Sequence, residues 1–168
     1  MILVYSADEN WAIGYEGDVL IKISEDLKRF RKITIKNIII MGRKTFESLP
    51  DSKALDSRIN IILTREKEYN PPNSVVVHSI EELFQRLKEI NPEGKMENYL
   101  IGGGNLANQL LDNCKKAYIT KIFKTFDKAD TFLHNLDEDD KWEVEETSNI
   151  YYQDEVGYQY VNYIKVEE

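Results

Sequence analysis

Three short apolar runs constrain this chain more than any other feature. Residues 37–42 (NIIIMG), 58–64 (RINIILT) and 99–104 (YLIGGG) are rich in isoleucine or leucine, and each stops at a glycine or beside a cation. A strand with one wet face alternates apolar and polar residues, so runs like these read as strands covered on both sides. Segments with helical character lie between and beside them. Ser24 reads as an N-cap, with Glu25 and Asp26 in the first turn and Leu27, Phe30, Arg31 and Thr34 following at helical spacing. A short helix is predicted at 43–49 (RKTFESL), another from the cap Ser79 through Leu87, and a third over 105–111. Further strands are predicted at 1–7, 75–77 and 117–123. The tail, 142–166, alternates and is rich in Tyr and Val, which predicts an antiparallel hairpin closing the sheet edge. Residues 8–23 carry Gly14, Gly17 and Asp18 without a clean period and read as a long loop, a feature often tied to function. The expected fold is therefore α/β, a mixed sheet with a mainly parallel centre. The 168 residues fit one domain.

Composition narrows the partners. The net charge is −8, whereas a duplex-binding protein is normally basic, so no nucleic acid is expected. Much of the acid falls between Asp127 and Glu146, which reads as a solvated loop. The longest apolar run, Ile38 to Met41, is far short of the roughly 20 residues that span a bilayer. The start, MILVYSADENW, lacks a basic leader. With a single cysteine, Cys114, read as a small hydrophobe, the expected location is cytoplasmic. No metal-ligand spacing or nucleophile motif is found.

Four features carry chemistry. Asp26 sits in the first turn of a helix that follows the glycine-containing loop. Alone, it reads most simply as a dipole-stabilising acid; facing a pocket, it would accept two parallel N–H donors from an amidine-like ring edge. Gly42-Arg43-Lys44-Thr45 joins a buried strand to a helix, and is either a surface turn or a phosphate site. Gly102-Gly103-Gly104 lies between strand and helix, where glycine allows a ligand close to the backbone. Its match to a dinucleotide fingerprint is discounted, because only a β-rich tail follows it. Thr64-Arg65 and His78 end the next two strands. They are positioned for a second anionic group, such as an extra 2′-phosphate, although His78 alone reads as an exposed strand-end residue.

In this order, these segments resemble the dihydrofolate reductase family along nearly the whole chain. The likeness runs through Ala12-Ile13-Gly14, SEDLKRFRKIT, IIMGRKTFESLP (its most specific piece), LDSRINIILTR, VVVHSIEEL, YLIGGG, AYITKI and DTFL to the aromatic tail. The resemblance implies an eight-stranded, mainly parallel sheet flanked by helices, with NADPH and dihydrofolate as ligands, antifolate-like molecules as competitors, and a monomer. It implies that Asp26 binds the pterin and promotes protonation at N5, with Thr120 supporting it, while hydride passes from nicotinamide C4 to pterin C6. Phe30 and Leu49 match pocket walls, with Val4, Tyr5, Ile21, Leu27 and Arg31 also on the substrate side. Arg58 matches the arginine that grips the folate α-carboxylate. Arg43, Lys44, Thr45, Thr64, Arg65 and His78 resemble phosphate and adenosine contacts. Ile101, Gly102, Gly103, Gly104, Asn105, Leu106 and Gln109 resemble the diphosphate and nicotinamide turn. Ser6, Ile13, Gly14, Gly17 and Asp18 complete the cofactor set, the last four in a mobile lid.

The sequence departs from the family pattern at Leu20-Ile21, where Pro-Trp is common, at Ala107, where a tyrosine is usual, and at Leu133-His134, where a proline is common. These departures bear on rate and inhibitor sensitivity. They also keep open two other functions, a binding module without catalysis and a reductase of a related pterin or pyrimidine.

Overall fold

The computed structural model describes residues 1–166. In chain order the elements are β1 (Ile2–Ala7), β2 (Ala12–Gly14), α1 (Ser24–Thr34), β3 (Ile38–Gly42), α2 (Arg43–Glu47), β4 (Ile59–Leu63), β5 (Val75–Val77), α3 (Ile80–Ile90), β6 (Asn98–Gly102), α4 (Gly104–Leu110), β7 (Lys116–Ile122), β8 (Thr131–Phe132), β9 (Trp142–Gln153) and β10 (Val156–Lys165). Eight strands form one sheet in the order β5-β4-β3-β6-β1-β7-β10-β9. The pairs from β5 to β7 are parallel. β10 runs antiparallel to both β7 and β9. The mainly parallel α/β sheet with an antiparallel hairpin at its edge is thus present.

The apolar runs explain the layers. Successive strand residues face opposite sides. Ile38 and Ile40 of β3 pack with Leu83 and Leu87 of α3 and Leu106 and Leu110 of α4. Ile39 and Met41 face the other way, toward Phe46 of α2 and Ile33 of α1. All four β3 side chains have no exposed surface, and burying a side chain of this size contributes about 1.5–3 kcal/mol. The same alternation sorts β1. Leu3, Tyr5 and Ala7 join the α3/α4 side, while Ile2 and Val4 join the α1/α2 side, which carries Ser6 to that side as well.

Some boundaries differ from the sequence expectation. Ser24 is not the N-cap of α1. Ile23 holds that position, and the Ser24 backbone N–H donates to Gln153 Oε1 at 2.8 Å. Gln153 also donates to the Lys22 carbonyl, so β9 supplies the cap that the local sequence was expected to supply. Ser79 does cap α3, accepting from the Glu82 N–H, but the helix continues past Leu87 to Ile90. The loop at 8–23 contains β2, which pairs with β8 in a separate two-stranded sheet. Elements of three and two residues are too short to show a period. The β9–β10 turn places Asp154 and Glu155 at φ 48° and 68°, the left-handed pair that a two-residue hairpin turn requires.

Candidate active site

The parallel strands β3, β4, β5 and β6 all end on one rim of the sheet, where ligands of open α/β sheets bind. β6 is inserted between β3 and β1, so its glycine turn opens in the middle of that rim. Met41 pairs with Gly102, which brings the two glycine motifs side by side. A Cβ on Gly102 would stand 2.5 Å from Thr45 Oγ1, so glycine is needed there for α2 to pack against the end of β6. Gly42 and Gly103 differ. A Cβ on Gly42 would meet nothing within 4 Å, and one on Gly103 only Thr45 Oγ1 at 3.7 Å. Their φ values, −78° and −93°, suit any residue. At Gly42 neither packing nor conformation demands glycine, whereas the peptide bond joining Gly102 and Gly103 is cis. An open backbone at Gly42, beside the Gly102-Gly103 turn, would let a ligand approach closely, which fits a dinucleotide cofactor.

Cations surround this opening. Arg43 lies 3.3 Å from Glu47 and 3.5 Å from Glu66. Partly exposed pairs of this kind contribute at most about 1 kcal/mol, so a phosphate could displace them at little cost. Arg65 is exposed and makes no ion pair among the described residues. Thr64 is buried, and its hydroxyl accepts from the Glu66 N–H. His78 Nδ1 sits 2.9 Å from the Thr64 carbonyl. A carbonyl only accepts, so Nδ1 carries the proton there, and Nε2 can donate to a phosphate only when the ring is charged. Asn105 and Gln109 are exposed on α4, and neither side chain hydrogen-bonds within the described residues.

Two acids outside the expected site, Asp8 and Asp130, brace the loop at 8–23. Buried Asp8 accepts from the backbone N–H groups of Asn10, Ala12 and Phe126. Asp130 accepts from the Glu16 N–H at 2.9 Å. That bond, and then the Thr131 hydroxyl, hold the Asp130 carboxyl below the usual carboxylate range. Gly14 and Gly17 lie within this loop. A Cβ on Gly14 would come 2.9 Å from the Asp18 carbonyl, while Gly17 has φ +84° and lies near Lys44. The lid therefore rests beside the cationic rim. Ile13 touches Gly104 in the same corner.

Asp26 stands on the α1 side, half-buried. Thr120 Oγ1 donates to its Oδ1 at 2.7 Å, and Ser6 Oγ donates to its Oδ2 at 2.9 Å. Ser6 and Thr120 are partners across β1 and β7, and Tyr160 of β10 is the next partner beyond Thr120. The Tyr160 hydroxyl is pushed up to about 12, first by burial and then by the charge of Asp26. Val4, Leu49 and Ile101 pack into the apolar cluster on this side. Leu27 is exposed and Phe30 half-buried on α1. Ile21 instead packs with Ile23, Ile122 and Tyr158.

Two expected substrate residues stand apart from the acid. Tyr5 faces the α3/α4 side, and its hydroxyl donates to the Gly103 carbonyl at 3.1 Å. Ala107 is fully buried on that same side, so a phenolic hydroxyl stands at the glycine turn even without a tyrosine at 107. Arg31 is paired with Asp56 at 3.0 Å. Arg58 lies deeper, its side chain 3% exposed. It donates to the Asp56 carbonyl and the Thr34 hydroxyl, with Phe30 alongside. Burial, and then the charge of Arg31, lower its pKa from the ordinary arginine value. Its Nη2 also lies 3.6 Å from the Asp56 carboxylate, and of the five guanidinium donors only those beyond these contacts would serve a second carboxylate.

A dinucleotide rim beside a single hydroxyl-held acid is the arrangement of a nicotinamide-dependent reductase. The sequence model of the family described as dihydrofolate reductase matches residues 1–165. A dihydrofolate reductase of Buchnera aphidicola subsp. Baizongia pistaciae is 38% identical over 135 residues, 80% of this chain and 77% of that protein. One from Aedes albopictus is 34% identical over 173 aligned positions, 90% of this chain and 92% of that protein. A solved structure of Enterococcus faecalis dihydrofolate reductase, complexed with NADP(H) and RAB-propyl, matches with TM-score 0.83 and 30% identity over 99% of this chain and 96% of that one. The chain belongs to the dihydrofolate reductase family. It is an NADPH-dependent oxidoreductase of that family.

Proposed function

We propose that the chain reduces 7,8-dihydrofolate to tetrahydrofolate, as a single-domain, cytoplasmic monomer without nucleic-acid or membrane partners, and that the residues above divide the work. The observation that carries this reading is the Asp26 carboxylate held at both oxygens on the same rim as the glycine turns. Bound NADPH supplies a hydride from its reduced nicotinamide ring. Arg43, Lys44, Thr45, Thr64 and Arg65 hold its phosphates, with Gly42 and Gly103 letting them approach the backbone. Asp26 accepts the amino and ring N–H donors of the pterin edge and favours a proton at N5. Val4, Leu27, Phe30 and Leu49 surround the ring, which dries the site and strengthens the charge-assisted bonds. Arg58 takes the α-carboxylate of the glutamate tail. The lid at 12–18 excludes water from the reacting rings.

Arg58 separates this reading from reduction of a related pterin without the tail. NADPH oxidation is followed with dihydrofolate and with a dihydropterin lacking the glutamate. Arg58→Ala is expected to raise KM for dihydrofolate about 10- to 100-fold, the value of a lost charge-assisted pair, and to leave the tail-less substrate unaffected. Equal losses for both substrates, or preference of the wild type for the tail-less ring, would favour the other reductase.

A further inference from the structure

We propose that Ser6 is a positioning residue for the acid: with Thr120 it holds the Asp26 carboxylate in one orientation. This rests on the reductase reading for its catalytic consequence, but not for its geometry. The segment ILVYSA is otherwise a buried apolar strand, apart from the Tyr5 hydroxyl. A hydroxyl within it needs a partner, and Ser6 Oγ has one in Asp26 Oδ2 at 2.9 Å. The family resemblance implies a place for Ser6 with the cofactor. The alternation of β1 places its side chain toward α1, and its strand partner is Thr120. The two hydroxyls therefore come from adjacent parallel strands and take one carboxylate oxygen each.

This arrangement has two consequences. First, an ionised carboxylate only accepts, with about four lone-pair sites. Two are used, one on each oxygen, leaving one per oxygen for the ligand. That remainder matches a planar edge with two N–H donors. Thr120 alone would leave the carboxylate free to rotate; the second hydroxyl fixes its plane. Second, both bonds are made to the charged form, and donors to a carboxylate favour that form. Other titratable groups face the same acid. β10 carries Tyr158 and Tyr160, which feel its charge, and α1 carries Glu25 and Arg29 beside the same tyrosines. Arg29 is engaged over the Tyr160 ring at 4.1 Å. Ser6 is therefore the contact to Asp26 that can be removed without removing a charge, the strand or the Thr120 bond.

The test uses Ser6→Ala, which deletes one oxygen and leaves β1 intact. The Asp26 carboxyl carbon is titrated by NMR in the free protein. The midpoint in the variant is expected to lie higher than in the wild type by about one pH unit, the size of one hydrogen bond to a carboxylate. The pH profile of single-turnover hydride transfer should shift in the same direction, with NADPH affinity unchanged. An unmoved NMR midpoint overturns the proposal. So does an unmoved midpoint with weakened NADPH binding, which would return Ser6 to the cofactor. A shifted midpoint in a protein that does not turn over dihydrofolate would support Ser6 and defeat the reductase reading.

Discussion

The acid corner and the cationic rim are built on opposite plans. At the corner, both oxygens of Asp26 are already bound, from two strands distant in sequence. At the rim, Arg65 is exposed, Arg43 rests on two acids, and Gly42 faces open space. The corner is organised without any ligand; under the proposed function, the rim would be organised by the ligand's own charge. The chemistry explains the difference. Hydride transfer needs two rings at reactive distance, so the group that orients one ring has to be rigid. A phosphate is held by charge over a broader range of positions, and flexible cations suffice.

This contrast predicts unequal responses to mutation. The largest effect among these is expected from Thr120→Val, which frees Oδ1 of the acid. Hydride transfer in single-turnover measurements should fall about 10- to 100-fold, as for a lost hydrogen bond to a charged group, with NADPH affinity unchanged. A weaker effect than that of a single rim mutation would erase the distinction. Next comes Arg65→Ala, expected to weaken NADPH binding about 3- to 10-fold in fluorescence titrations while leaving the rate from the saturated complex intact. Its effect should shrink at high salt, because exposed charges are screened. A comparable loss of NADH affinity would show that Arg65 does not read the extra phosphate. The smallest effect is expected from Glu66→Gln. Removing an acid from Arg43 should tighten NADPH about twofold, since exposed pairs contribute about 0–1 kcal/mol. Weaker binding would mean that Glu66 orients Arg43 rather than competing for it.

The same contrast governs how much was legible in the sequence. The rim could be read locally, because glycines and cations follow the strands they terminate, as in NIIIMGRKT and YLIGGG. β3, β4 and β6 were legible for the same reason. The corner was only half legible. Asp26 stood in its helical turn, but its partners depend on strand order, which brings residue 6 beside residue 120. Strand alternation in ILVYSA carries a further signal: Val4 and Tyr5, both expected on the substrate side, face opposite sides of the sheet, and Ser6 shares the face of Val4. The Ser24 cap was misplaced because its substitute, Gln153, comes from the far edge of the sheet. β2 and β8 were missed because pairing, not local pattern, makes them strands. The roles of Asp8 and Asp130 lie in backbone N–H groups that converge only in the folded lid.

The most direct test compares NADPH oxidation by the wild type and Asp26→Asn with dihydrofolate, alongside NADPH affinity for both. Asparagine keeps the shape but cannot be a charged double acceptor. The wild type should turn over, the variant should bind NADPH equally well, and its hydride transfer should fall about 10²- to 10⁴-fold, the usual scale for a lost acid–base group. Equal rates in the two proteins, or a wild type that binds NADPH and leaves dihydrofolate unreduced, would contradict the assignment of Asp26 as the acid around which the site is built.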